Sequence, residues 1–110
     1  MEVHMLYIAN AFAGQMVPDS CTISKKPANT GTVRQMLEGQ DWQSCVGHAD
    51  TANILSGMLG VTIPANRVSI FLSNDDVLIV AQVMGGRLPE GATTLPEGTE
   101  MKFFMYTLVA

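Results

Sequence analysis

The stretch Val-Leu-Ile-Val-Ala-Gln-Val at residues 77–83 is apolar almost throughout. It lacks the alternation of a half-exposed strand, so it predicts a central β-strand that is covered on both faces. Residues 67–72 lie just upstream and are also β-prone, and the turn-forming residues 73–76 separate the two runs. This arrangement predicts a β-hairpin over residues 67–83.

The segments that flank this hairpin supply further elements. Residues 84–98 are rich in glycine and proline and predict a long, mobile loop, and the apolar residues 101–109 predict another strand. Near the other end of the chain, residues 3–9 predict a buried strand. The small residues around positions 10–14 then predict a flexible turn in which the backbone can approach a ligand closely.

The middle of the chain predicts a strand around residues 21–24, a helix over residues 32–38 and a short strand over residues 42–46. Together with the flanking elements, these give one α+β domain over residues 1–110. Its expected architecture is a mixed sheet of about five strands, flanked by helices.

A second helix follows the short strand, and His48 lies at the junction between them. Asp50 is expected to cap the start of this helix. Gly60 suits the left-handed backbone conformation of the residue that follows a helix. The apolar positions at helical spacing are Ala52, Ile54, Leu55, Met58 and Leu59.

Composition restricts the classes of function. The chain has 110 residues, of which 47% are hydrophobic and only 15% are charged. So few charged residues are compatible with a surface that is partly covered by a second copy, as in a homodimer. The net charge of −4 argues against a protein that grips long nucleic acid, which needs a broad basic face. A few arginines suffice for a small phosphate-bearing ligand.

The cysteines and the chain start indicate no metal, cofactor or membrane. Cys21 and Cys45 have neither CxxC spacing nor a cluster of potential ligands, so we expect free thiols and no metal site. No segment resembles a signal peptide or approaches the ~20 apolar residues of a membrane span. These features predict a cytoplasmic protein without a cofactor.

Four places carry residues suited to chemistry, and each has an ordinary structural alternative. His48 follows Gly47 at a helix start, where a histidine is more often structural than catalytic. Arg67 equally suits a solvated surface position. Arg87 and Glu90 lie in the glycine-rich loop, which is either a linker or a segment that closes on an anion. Asn10 suits either a ligand contact or a plain turn. His4 is a weaker candidate.

Four short motifs, taken together, resemble a known family. The motifs Tyr7-Ile-Ala-Asn-Ala-Phe12, Val46-Gly-His48, Asn66-Arg-Val68 and Arg87-Leu-Pro-Glu-Gly91 occur in the order and spacing of the viral ring nucleases. These are type III anti-CRISPR proteins with bacterial and archaeal cellular relatives. The resemblance extends over nearly the whole chain.

This resemblance implies a metal-independent phosphodiesterase. It implies a homodimer that binds cyclic tetra-adenylate at its interface and cleaves it, which switches off type III CRISPR signalling in the host cytoplasm if the gene is viral. By motif, the catalytic residues are His48 as general acid, Arg87 and Glu90. The implied substrate-binding residues are Asn10, Ala11, Ala13, Gly47, Arg67 and Gln82.

The chain departs from some relatives, and other functions stay open. Ala13 replaces a serine, Ala49 replaces an acidic residue after the histidine, and residues 84–86 include an additional residue before the loop arginine. One alternative is a nuclease for single-stranded DNA or RNA, although the acidic pI near 4.9 argues against it. Another is a non-catalytic protein that binds the cyclic nucleotide or regulates transcription.

Overall fold

The computed structural model describes residues 5–109 of the chain. Val3 and His4, at the start of the predicted first strand, lie outside these residues. Five strands, two α-helices and a short 3-10 helix at Gly14–Met16 form the domain. In chain order, these are β1 (Leu6–Ala9), β2 (Thr22–Ala28), α1 (Thr30–Gly39), β3 (Gln43–Cys45), α2 (Ala49–Leu59), β4 (Val77–Met84) and β5 (Glu100–Val109).

All five strands form one mixed sheet in the order β2-β5-β4-β1-β3. Strand β1 pairs in parallel with both β3 and β4, and β5 pairs antiparallel with both β4 and β2. The first five residues of β4 are buried, because neighbours flank this strand on both edges and both sheet faces are covered. The predicted single α+β domain with a central strand at residues 77–83 is therefore confirmed.

Both helices pack on one side of the sheet, which we call the helix-covered face. Arg34 of α1 also donates a hydrogen bond to the carbonyl of Met58 in α2 (2.9 Å). The buried residues on this side include Leu6, Ile8, Val33, Leu37, Val46, Ala52, Leu55, Leu59, Ile63, Val77, Ile79, Ala81 and Phe103.

The opposite side, the loop-covered face, is covered by irregular chain. Side chains from residues 12–21 and 70–72 pack there against the sheet. The amide of Leu72 donates to the carbonyl of Met16 (2.7 Å) and joins these two segments. The buried residues on this side include Ala9, Cys45, Leu72, Leu78, Val80 and Leu108.

The predicted hairpin over residues 67–83 is wrong. Residues 67–72 form no strand, although residues 77–84 do. The two edges of β4 are already hydrogen-bonded, by β1 at Leu6↔Val77 through Ala9↔Val80 and by β5 along its whole length. With no free edge beside it, the upstream segment lies over the sheet face and buries Leu72.

The start of α2 also differs from expectation. His48 is the N-cap residue, and its side chain makes no capping hydrogen bond, whereas Asp50 lies inside the first turn. A residue with helical backbone angles cannot occupy the N-cap, so the predicted capping role of Asp50 is wrong. Gly60 ends the helix with φ +70°, as predicted.

Candidate functional site

Strands β1 and β3 run in parallel, and the chain leaves their carboxyl ends toward opposite faces of the sheet. Residues 12–17 that follow β1 pack on the loop-covered face, whereas α2 after β3 packs on the helix-covered face. Diverging connections of this kind open a crevice at the carboxyl edge, where ligands bind in open α/β sheets. Asn10 lies at the start of the connection after β1, and Gly47 lies near the start of the connection after β3. The amide of Gly47 donates to Asn10 Oδ1 (3.1 Å) and ties the two together.

His48 stands at the rim of this crevice. Its backbone is extended (φ −131°, ψ 123°), and its carbonyl accepts from the amide of Ala52, the first hydrogen bond of the helix. The His48 side chain is exposed and forms no hydrogen bond or ion pair with any residue between 5 and 109. The amides of the first turn have no intrahelical partners, so the same rim favours an anion.

A cavity of about 400 Å³ lies on one side of His48, and we call it the Arg87 cavity. Its floor is the carboxyl end of β4, where Gln82 is exposed, and its wall is the start of the segment that follows β4. The lining residues are Asn10, His48, Thr51, Ala81, Gln82, Val83, Gly86, Arg87 and Leu88.

A second cavity of about 330 Å³, the Arg67 cavity, lies on the other side and shares Asn10 and His48 with the first. A Cβ added to Gly47 would lie 3.5 Å from Arg67 Cγ, an ordinary van der Waals distance, so the arginine stem packs beside the Gly47 backbone. The lining residues are Asn10, Ala11, Met16, Cys45, Gly47, His48, Arg67 and Val68.

Hydrogen bonds to β3 place Arg67 at this cavity. The amide of Asn66 donates to the Val46 carbonyl (2.8 Å), and its side-chain amide donates to the Ser44 carbonyl (2.7 Å). The Ser44 hydroxyl in turn donates to the carbonyl of Pro64 (2.6 Å). Because Ser44 is buried, these bonds fix the path of the irregular chain on either side of Asn66.

The structure thus brings together most of the residues singled out in the sequence, and it leaves two outside. Glu90 and Ala13 line neither cavity. Glu90 is exposed, but the next residue, Gly91, donates its amide to Asp50 Oδ2 (3.0 Å), so the loop passes close to the start of α2. Sequence reasoning gave no role to Thr51, although its place in the first turn after His48 puts it at the rim.

Two positive charges flank His48. The side chains of Arg67 and Arg87 are exposed, and neither forms a salt bridge or hydrogen bond within the described part of the chain, residues 5–109. The local potential therefore favours an anion although the chain carries a net charge of −4.

The thiol beneath the Arg67 cavity is in a different environment. Burial raises the pKa of Cys45 to about 11. Burial, together with the nearby Asp76 and Cys45, also raises the pKa of Tyr7. Of the side chains between residues 5 and 109, no three or more from His, Cys, Asp and Glu are grouped to hold a metal ion. Over the same range, none of the helices has the length and apolar character to cross a membrane.

Comparison with known proteins assigns the chain to a family. The sequence profile described as STIV B116-like matches residues 6–108. The chain belongs to the STIV B116-like family. As a member of this family, it is related to proteins of archaeal viruses.

Two viral relatives of this B116-like chain are similar in sequence. The chain is 35% identical over 88 residues to uncharacterized protein 26 of Sulfolobus islandicus filamentous virus, with 79% of this chain and 74% of that protein covered. It is also 35% identical over 72 residues to uncharacterized protein ORF117 of Acidianus two-tailed virus, with 64% and 61% covered.

A solved structure shares the fold of this B116-like chain. The structure of B116 of Sulfolobus turreted icosahedral virus superimposes with a TM-score of 0.79 and covers 94% of this chain and 98% of that one. At 19% sequence identity, this likeness shows the common five-stranded α+β fold and nothing about chemistry.

Proposed function

We propose that this B116-like protein is a metal-independent ring nuclease that binds and cleaves cyclic tetra-adenylate. One observation carries the proposal, namely that Asn10, His48, Gln82 and Arg87 come from separate segments and line one cavity at the carboxyl edge of the sheet. These are positions that the resemblance to the viral ring nucleases implies for catalysis or substrate binding. Removal of the ring would switch off type III CRISPR signalling in the host cytoplasm, which is an anti-CRISPR activity.

The proposed reaction uses a nucleophile that the substrate carries. The 2′-oxygen of one ribose attacks the adjacent phosphorus, the bond from phosphorus to the 5′-oxygen breaks, and the 2′-hydroxyl proton passes to solvent. The products are a 2′,3′-cyclic phosphate and a 5′-hydroxyl. The protein must align these atoms and protonate the leaving oxygen, and this chemistry does not require a metal ion.

His48 is suited to donate that proton. Its imidazole is exposed and makes no capping hydrogen bond to α2, the helix that follows it. A positioned acid of this kind typically contributes about 10²- to 10⁴-fold in rate.

Arg67 and Arg87 would stabilise the charge on the phosphate oxygens from either side of His48. The two cavities that these arginines line share His48 and Asn10, so one phosphodiester at the rim would be within range of both guanidinium groups. Paired N–H donors of arginine fit phosphate oxygens well. Glu90, on the loop that carries Arg87, would complete the site once that loop closes over the ring.

A homodimer would match the symmetry of the ring. Two copies related by a twofold axis would present two His48 side chains to opposite bonds of a four-repeat ring, and two linear di-adenylates would result. Val68, which lines the Arg67 cavity, is 43% exposed, and Phe71 on the same segment is 60% exposed. Burial of these apolar side chains against a second copy would place the interface beside the site.

The decisive experiment incubates the protein with cyclic tetra-adenylate in excess chelator and follows the products by chromatography. The wild-type chain should yield linear di-adenylate that ends in a 2′,3′-cyclic phosphate. His48→Ala should lower the single-turnover rate by about 10²- to 10⁴-fold with ring affinity retained within a few-fold. His4→Ala, which removes the other histidine of the chain, is the matched control and should retain the wild-type rate.

Other outcomes would select the alternatives. Tight binding with an intact ring would identify a protein that sequesters the messenger. Cleavage of single-stranded RNA or DNA in preference to the ring would identify a general nuclease. Sedimentation with and without the ring tests the dimer, and a monomer in both states would contradict the shared site.

A further inference from the structure

The loop between β4 and β5, residues 85–99, is held firmly at its base. Gly85 has φ +94°, and a Cβ at this position would lie 2.5 Å from the carbonyl oxygen of Gly98, so the two ends of the loop pass in close contact. Gly98 itself has φ +83°. Both backbone positions favour glycine. The base therefore fixes where the loop starts, but it leaves the position of the outer part to other contacts.

The outer part of the loop lies beside α2 without filling the space between them. Ile54, Gly57 and Met58 of the helix, with residues 93–95 of the loop, enclose a cavity of about 290 Å³. Most loop residues from Gly86 to Gly91 are exposed. Apolar packing is thus incomplete along this side, and such loops open at low free-energy cost.

One polar contact joins the two elements near the site. The amide of Gly91 donates to Asp50 Oδ2 (3.0 Å), and it is the one hydrogen bond between this loop and α2 within residues 5–109. Gly91 has φ +77°, a left-handed conformation that glycine adopts without strain. A hydrogen bond to a carboxylate is stronger than one between neutral groups, and the negative charge is favourable in the first turn of a helix.

This contact lies between the two halves of the site. Asp50 follows His48 by two residues on α2, and Gly91 directly follows Glu90 on the loop that also carries Arg87. From this geometry we infer that Asp50 is a positioning residue, whose carboxylate holds the loop against α2 and so keeps Arg87 beside His48. The inference rests on the proposed function for its effect on turnover, but the contact itself can be tested separately.

Trypsin offers a test of the contact with an internal reference. The Arg87–Leu88 bond lies in the loop, and the Arg67–Val68 bond lies in an exposed irregular segment elsewhere. In a brief digestion, Asp50→Ala should raise the cleavage rate at Arg87–Leu88 by about tenfold relative to Arg67–Val68, as loss of a charge-assisted hydrogen bond implies. Equal acceleration at both bonds would indicate general destabilisation and would overturn the inference.

Two further variants separate the hydrogen bond from the charge. Asp50→Asn keeps an oxygen that accepts from the Gly91 amide but loses the charge, so its cleavage ratio should rise by only about threefold, well below that of Asp50→Ala. Should Asp50→Asn instead match Asp50→Ala, the carboxylate would act through its charge on the helix and not through Gly91, which also overturns the inference. Asp41→Ala removes an exposed carboxylate away from the loop and is the matched control.

Turnover of cyclic tetra-adenylate then tests the positioning role. Asp50→Ala should lower kcat by about tenfold and change KM less, because Asn10, Gln82 and Arg67 remain to bind the ring, and Asp50→Asn should recover most of the rate. A loosened loop with unchanged kcat would overturn the role. If the wild-type chain cleaves no ring, the proposed function fails, whereas the trypsin result still decides whether Asp50 holds the loop.

Discussion

The two faces of the sheet are covered in different ways. On the helix-covered face, α1 and α2 lie against the strands with regular hydrogen bonding, and their buried side chains include Val33 and Leu55. On the loop-covered face, the irregular segments around Met16 and Leu72 perform the same task, joined by the long-range hydrogen bond from the Leu72 amide to the Met16 carbonyl. Regular elements give rigid burial, whereas irregular chain can adjust its path and carry ligand-contacting residues.

The site lies where these two kinds of cover separate. His48 belongs to the helix-covered side, and Arg67 belongs to the irregular segment that crosses the other side. The bond from Gly47 to Asn10 holds the two sides together at that point. A histidine on a rigid helix beside arginines on irregular chain is a suitable arrangement for a ligand that must be admitted and then enclosed.

The two faces should differ most in how much free energy of unfolding is lost when a buried leucine is shortened to alanine. Leu55→Ala and Leu72→Ala each remove the same atoms from a buried site. We expect Leu55→Ala to lower the free energy of unfolding by about 3–5 kcal/mol and Leu72→Ala by about 2–3 kcal/mol, since the irregular chain around Leu72 can close inward. Urea denaturation at one protein concentration measures both. Equal costs would show that the loop cover is as rigid as the helices.

A smaller effect is expected where the two sides are joined. Asn10→Ala leaves the half-buried amide of Gly47 without its acceptor and should cost about 1–2 kcal/mol of stability. Asn10→Asp keeps an acceptor oxygen and should recover that stability, but its negative charge should weaken ring binding by about tenfold. Thermal denaturation and ring titration measure the two quantities. If Asn10→Asp restored stability and also bound the ring with wild-type affinity, Asn10 would not contact the bound phosphates.

The effect that is smallest at neutral pH concerns the thiol under the loop cover. Burial raises the pKa of Cys45 from its ordinary value near 9 to about 11. Between these values the folded chain retains a thiol proton that the unfolded chain has lost. The free energy of unfolding is therefore unaffected by this thiol below about pH 9 and falls as the pH rises toward 11.

Cys45→Ala should therefore flatten the decline in urea midpoint between pH 8 and pH 10.5, although the raised pKa of Tyr7 contributes a similar decline in every variant. Cys21→Ala is the matched control, because that thiol is only partly buried. An unchanged slope for Cys45→Ala would indicate that water reaches the thiol through the irregular cover.

Local pattern was a good guide to regular elements and a poor one to the loop cover. The apolar run at residues 77–83 and the glycine at position 60 predicted β4 and the end of α2 correctly. The hairpin prediction failed because residues 67–72 have a strand-like composition, and only the occupied edges of β4 exclude them from the sheet. That information is long-range and is not present in any short window of sequence.

The site was predicted only in part, because the places of some of its residues also depend on long-range contacts. Residues that sit directly at element ends, such as His48 and Asn10, line the cavities as expected. Glu90 was expected in the site but lines neither cavity, and its side chain is exposed on the loop that the Gly91–Asp50 hydrogen bond holds near the start of α2. Asn66 belongs to a motif, yet its role in holding the chain at β3 depends on contacts across 20 or more residues.

By itself, the sequence determined the α+β class, the central strand and the helix that ends at Gly60, because these follow from apolar periodicity and terminal glycine within a few residues. Tertiary structure alone decided that Arg67 and Arg87 flank the same imidazole and that a carboxylate expected to cap a helix holds a loop. Those relations arise when parallel strands bring distant segments to one edge, and the free energy of sheet pairing and burial, not local preference, selects that arrangement.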